Sequence, residues 1–290
     1  MKRLCTLTLM LAAVLTCSAQ AVQSAADSIR QAFFNEIEEG LPALAFARPD
    51  SVIALADKLM AVMGDSEDST RLAGLFFNYF SDCPVMGTEA VAVHIADRYF
   101  LSGKLKWPDS DSYPLLYTFA EFNRASLIGK SAPGLVLEDI DGATVDMRAV
   151  RSPYKVLYFY DDACASCARQ TPALVSLLNG YDGNGEVSLF AIYTQSGHDQ
   201  WKKYVAANFD AIDNPKVTVY NLWDPEIASG FQVNYGVLTT PAMFLIDSEN
   251  TITGRCGGGE YFVVKFDSPV VSVDEVQVDT MYSGPQHVVD

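Results

Sequence analysis

The sequence predicts an α+β chain of two domains, an all-helical domain followed by an α/β domain. Three observations predict it. Apolar residues recur at helical spacing from Ser24 to about Asn123. After Ser126 the pattern changes to short β-rich runs separated by turn residues and single helices. Finally, the chain has 290 residues, 49% hydrophobic and only 19% charged, which excludes disorder as its main state and supplies two cores at about 100 to 200 residues per domain. Cores of that size do not need disulfide staples, so the cysteines are free for chemistry.

The chain opens as a secretory leader: Lys2-Arg3, the apolar run Leu4 to Leu15, then small residues ending Ala19-Gln20-Ala21. Residues 1–21 are therefore expected to be a cleaved signal peptide, placing the protein in the periplasm or cell envelope. The alternative is lipidation at Cys17, for which Leu15 and Thr16 are a poor cleavage box; attachment to a membrane follows only in that case. No later segment approaches the roughly 20 apolar residues of a spanning helix. Lys+Arg of 20 against Asp+Glu of 36 gives a net charge of -16, and loss of Lys2 and Arg3 with the leader would make it -18. Such a surface repels phosphate backbones, so nucleic acid is excluded as a partner.

The helical domain is assigned to residues 24–125. Ile29, Phe33, Phe34 and Ile37 recur at helical spacing, and so do Val52, Ile53, Leu55, Ala56, Leu59, Met60 and Met63. Asp50 or Ser51 is expected to cap the second helix, and Ser69 precedes the run Leu72 to Phe80. Thr88 starts a helix that ends near Leu101, with Gly103 beyond it, and Pro114 to Phe122 forms a last short one. The aromatic residues of these segments read as core, and nothing in them names a chemistry.

The α/β domain is assigned to residues 127–255. Val136 to Glu138 and Thr144 to Met147 flank the turn Asp139-Ile-Asp-Gly142 as a hairpin. The continuous apolar and aromatic runs Val156 to Tyr160 and Val187 to Tyr193 mark buried strands. Helices are expected at Cys164 to Leu178 and Gln200 to Asn208, a strand at Val217 to Tyr220, and a closing hairpin from Ala242 to Asp247 and Thr251 to Arg255. Residues 256–290 show no helical period and are taken as a C-terminal extension of one or two strands or a tail.

Four cysteines follow the leader, and two form Cys164-Ala-Ser-Cys167 where the strand Val156 to Tyr160 passes into a helix. A cysteine at a helix N-terminus has its thiolate stabilised by unpaired backbone amides and the helix dipole, which makes it nucleophilic near neutral pH. Cys164 is the candidate attacking thiol; Cys167, one turn on, is the candidate resolving thiol. An inert disulfide is the blander reading. A zinc site lacks ligands, because His94, His198 and His287 are isolated and no second C-x-x-C exists, so no metal and no small-molecule cofactor is expected. Cys83 and Cys256 remain as single thiols, a bond between the domains or, for Cys256, an electron relay.

The segment Val156-Leu-Tyr-Phe-Tyr-Asp-Asp-Ala-Cys-Ala-Ser-Cys-Ala-Arg-Gln-Thr-Pro172 resembles the core of thioredoxin-like proteins, in particular the exported TlpA and ResA branch. Gly129-Lys-Ser-Ala-Pro133 with Leu137 to Gly142 is similar to the opening hairpin of that branch, and Tyr235 to Asp247 to its cis-proline segment. The resemblance implies a thioredoxin-like fold over residues 127–255 and a cis Thr240-Pro241 bond against the cysteine pair, where the backbone can bind an extended substrate. It also implies thiol-disulfide oxidoreductase activity on cysteine-containing exported proteins or a redox partner protein.

Departures from the pattern are specific. Gln170 stands where the branch carries a buried Glu, Tyr158 where classical thioredoxins carry a buried Asp, and Ala163 where a Trp is usual. Leu157 and Asp161 occupy the places where a peroxiredoxin needs Pro and Thr or Ser, which disfavours a peroxidase. Asp161 and Asp162 are expected to oppose the helix dipole at Cys164, and a less stabilised thiolate favours a reductase or isomerase over an oxidase. The competing reading makes the helical domain the functional part, an envelope binding module, with a weakly active α/β scaffold behind it.

Overall fold

A computed structural model describes residues 2–64 and 66–257, with side chains from residue 23 onward. The N-terminal half is built as its apolar period requires. Helix α1 (Lys2–Leu44) buries Phe34 and Leu41, two turns apart, and the predicted leader falls within it, its side chains outside the described residues. Helix α2 (Pro49–Met63) starts one residue earlier than Asp50: Pro49 fills the first helical position, where its missing N–H costs nothing, and Asp50 sits in the first turn. Helix α3 (Glu67–Ser81) is capped by Ser66, whose hydroxyl accepts from the Ser69 amide at 3.2 Å; Ser69 itself is buried inside the first turn.

Helix α4 (Glu89–Ile95) widens into a π-helical turn at Ala96–Leu101 and stops before Gly103, whose φ of +76° suits glycine. Helix α5 (Tyr113–Arg124) completes the domain. Phe34, Phe76, Phe80, Tyr99 and Leu116 close one core between these helices.

The second half is a seven-stranded sheet in the order β2-β1-β5-β4-β3-β6-β7. Its members are β1 (Val136–Asp139), β2 (Thr144–Asp146), β3 (Tyr154–Tyr160), β4 (Val187–Tyr193), β5 (Val217–Trp223), β6 (Ala242–Asp247) and β7 (Ile252–Gly257). The central strands β3, β4 and β5 run parallel, joined by helices α6 (Ala165–Asn179) and α7 (His198–Asn208); β6 and β7 are antiparallel. Because side chains alternate along a strand, β3 sends Leu157 and Phe159 into one core and Val156, Tyr158 and Tyr160 into another. Two features differ from the sequence reading. Strand β5 continues to Trp223, and a five-residue helix α8 (Phe231–Tyr235), too short to show a period, precedes the proline segment. The expected extension lies outside the described residues beyond Gly257, where β7 ends.

The two halves meet along a polar seam. Arg255 on β7 pairs with Glu89 of α4 at 3.2 Å, donates to the Asn123 side chain of α5 at 2.7 Å, and lies over the Phe244 ring. The Ser126 hydroxyl donates to the Tyr235 carbonyl at 3.2 Å. Gly236, at φ +68°, lets this loop approach α5 so closely that a Cβ would collide with the Phe122 carbonyl oxygen.

Candidate active site

Strand β3 ends at Tyr160, and Asp161-Asp162-Ala163 carries the chain from the C-terminal end of this central strand to α6. Cys164 is the N-cap residue, at φ -80° and ψ 112°, and its sulfur accepts the Cys167 amide at 3.0 Å. The helix thus starts on the sulfur itself, since a cap must satisfy one of the orphan amides of the first turn and here a thiol does so. Across from it the Thr240-Pro241 bond is cis, and the Cys164 thiol lies 3.2 Å from the Thr240 carbonyl oxygen. Cys164 is half-buried, Thr240 half-buried, and Cys167 and Pro241 are buried. The four residues singled out from the sequence therefore stand together at one end of the sheet.

The two sulfurs differ in their proton affinity. Burial pushes the Cys164 thiol up, but hydrogen bonding to the side chains of Cys167 and Thr240 and to the backbone of Cys167 and Ser166 outweighs it, so the net shift is downward. Burial dominates at Cys167 and, with the neighbouring Cys164, raises it to about 12. One thiol is thus prepared to ionise and visible from outside, the other protonated and enclosed. No disulfide joins the described cysteines: Cys83 and Cys256 are half-buried and not bonded to each other, so the inter-domain bridge is not formed.

The aspartates behave differently from the simple charge count. Asp161 accepts from the Ala163 amide at 2.6 Å and from the Gln195 side chain at 3.1 Å; Asp162 accepts from the Tyr193 hydroxyl at 2.5 Å. Local hydrogen bonds, not these carboxylates, set the downward shift at Cys164.

Sequence reasoning missed a polar chain beneath the pair. The Tyr158 hydroxyl meets the Thr171 hydroxyl at 2.8 Å, which meets the Tyr204 hydroxyl at 2.7 Å. In sequence, two tyrosines and a threonine in apolar runs read as packing, and only the offset of four between Cys167 and Thr171 hints that they share a helix face. The histidines stay apart from the site chemistry. His94 pairs with Asp57 at 3.0 Å, His198 packs on Trp223, and His287 lies outside the described residues. Among the described residues no three metal-ligating side chains cluster.

Parallel β3-β4-β5 with an antiparallel β6 beginning at a cis-proline, set against a helix that starts on a C-x-x-C cysteine, defines a thioredoxin-like domain. Residues 128–255, under half of the chain, match the AhpC/TSA family. The thiol-disulfide oxidoreductases ResA of Bacillus thuringiensis and Bacillus cereus are each 26% identical over 134 residues, 45% of this chain and 70% of theirs. Among solved structures, a thioredoxin-like protein from Bacteroides caccae is 14% identical with a TM-score of 0.49, covering 73% of each chain. A thiol-disulfide oxidoreductase from Bacteroides fragilis is 21% identical with a TM-score of 0.38, covering 45% of this chain and 92% of its own.

Proposed function

We propose that the protein is an exported thiol-disulfide oxidoreductase that reduces or isomerises disulfides of cysteine-containing envelope proteins through Cys164 and Cys167. One observation carries the reading: a half-buried thiol with lowered pKa caps α6 beside the Thr240 carbonyl, and a buried second thiol lies one turn behind it. Cys164 thiolate attacks a substrate disulfide, one substrate sulfur leaves, and Cys167 then attacks Cys164 to free the other. The backbone at Thr240 and Pro241 is suited to receive an extended segment beside the sulfur. Export is supported by the leader pattern of residues 1–21, and a redox partner protein must return electrons to the Cys164–Cys167 disulfide.

An insulin-reduction assay tests it. The protein is expected to turn over insulin with dithiothreitol at a rate well above that of the Cys164→Ser variant, and Cys167→Ala is expected to accumulate mixed disulfides in cells. Equal background rates for wild type and Cys164→Ser would instead favour the helical half as a binding module.

A further inference from the structure

Resting on that exchange reading, we infer that the Asp161 backbone amide stabilises the Cys167 thiolate formed in the resolving step. The Asp161 carboxylate and Gln195 are the positioning groups that hold this amide in place. The need is set by the site. Cys167 is fully buried, burial and the neighbouring Cys164 make its thiol hold its proton to about 12, and it must lose that proton to attack. The groups that work against this are the Asp161 backbone and Thr240, which hydrogen-bond the sulfur. The phenols facing the pair, Tyr158 of β3 and Tyr204 of α7, have their own protons held by burial, so neither offers a charge to help.

Three consecutive residues where β4 ends grip the loop that carries this amide. The Tyr193 hydroxyl donates to the Asp162 carboxylate at 2.5 Å, the Thr194 amide and hydroxyl donate to the Tyr160 carbonyl at 3.0 and 3.1 Å, and the Gln195 side chain donates to the Asp161 carboxylate at 3.1 Å. The Gln195 carbonyl in turn accepts from the Trp223 indole of β5 at 2.8 Å. Within the loop, the Asp161 carboxylate accepts the Ala163 amide at 2.6 Å, and the Asp161 carbonyl accepts the Cys164 amide at 3.4 Å. An aspartate side chain that bonds the backbone two residues on fixes a turn, and here that turn sets where the Asp161 N–H points.

The effect is confined to one sulfur. Against the upward push of burial, Cys164 is lowered by Cys167 and Thr240 and by the backbone of Cys167 and Ser166, none of which belongs to this loop. In the resolving step Cys167 gives up its proton to water and its sulfur bonds to Cys164 Sγ. The bond from Cys164 to the substrate sulfur breaks, and that sulfur leaves with the electron pair and takes up a proton from water. Nothing is oxidised or reduced beyond the two sulfur pairs. A fixed N–H aimed at Cys167 stabilises the charge where it develops, with no reorganisation at the moment of reaction.

The test uses the full chain with Cys5, Cys17, Cys83 and Cys256 replaced by Ser. Reduced protein is mixed with dithiobis-nitrobenzoate: the first coloured thiolate released reports attack by Cys164, the second the resolving step. Asp161→Ala, which loses both side-chain bonds, is expected to leave the first release unchanged, to slow the second about tenfold at neutral pH and to move its pH profile upward. Gln195→Leu, which loses one bond at an exposed position, is expected to slow the second release about threefold. Asp161→Asn, which still accepts from the Ala163 amide and can pair with a turned Gln195 amide, is expected to resolve like wild type. Unchanged second release in Asp161→Ala and Gln195→Leu would overturn the inference. An Asn variant as slow as Ala would overturn it as well, because charge and not positioning would then carry the effect, and so would equal slowing of both releases. Should Asp161→Ala fail to fold, Gln195→Leu decides alone. A wild type that releases only once would overturn the exchange reading itself, whereas variants that match a wild type releasing twice overturn this inference alone.

Discussion

Ionisation of Cys164 is the property on which its reactivity turns, since the thiolate is the nucleophile. Its pKa is lowered in the folded chain, so at any pH below the ordinary cysteine value a larger fraction is ionised than in the unfolded chain. The rate of alkylation of Cys164 by iodoacetamide should therefore rise along a pH curve shifted to lower pH relative to the same chain in guanidinium. Coincident curves would remove the case for a prepared thiolate. The reverse holds for Cys167, raised to about 12 chiefly by burial. In a Cys164→Ser variant, Cys167 is expected to alkylate far more slowly at pH 8 in the folded than in the unfolded chain, and equal rates would mean the sulfur is reachable from outside.

Among the elements, the short segment from α8 to the start of β6 packs Phe231, Tyr235 and Val237 into the sheet's core and also leans on the helical half through Gly236, Tyr235 and the adjoining Arg255. Arg255 and Glu89 are mostly buried side chains of opposite charge, so removing one leaves the other charged and poorly solvated. Arg255→Ala should cost about 2 to 4 kcal/mol in denaturant unfolding, more than an exposed pair such as Arg30–Asp27 would. A loss below about 0.5 kcal/mol would show that water already compensates the pair. This seam is also where the sequence is least informative. The strands β3 and β4 and helix α6 announce themselves by unbroken apolar runs and by a cysteine at a strand-to-helix junction, which is why Cys164 and Cys167 were legible; Thr240 and Pro241 were legible only through the resemblance of Tyr235 to Asp247 to a cis-proline segment. Helix α8 is one turn long, the capping role of Ser66 depends on where α3 begins, and the Arg255 contacts join residues far apart in the chain. Periodicity records local burial, and none of these is a local property.

At the scale of the whole molecule, charge and site act on the same encounter. The chain carries a net charge of -16, and the reactive sulfur follows directly after Asp161 and Asp162, one half-buried and one exposed. Other groups set the shift of the Cys164 thiol, but carboxylates held by the Ala163 amide and the Tyr193 hydroxyl still contribute to the field outside the protein. That field should sort disulfides by charge before any contact is made. At about 0.01 M ionic strength the Debye length is about 30 Å, comparable to a domain, so a cationic disulfide such as cystamine should react with Cys164 about tenfold faster than an anionic one such as dithiodiglycolate. Near 1 M salt, where screening sets in within about 3 Å, the ratio should fall toward the value set by intrinsic reactivity. Stopped-flow rates for both compounds across that range separate the effects, because steering collapses with salt and local chemistry does not. A ratio unchanged from low to high salt would mean that the acidic surface is turned away from the site, and that substrate choice rests on the backbone around Thr240 and Pro241 alone.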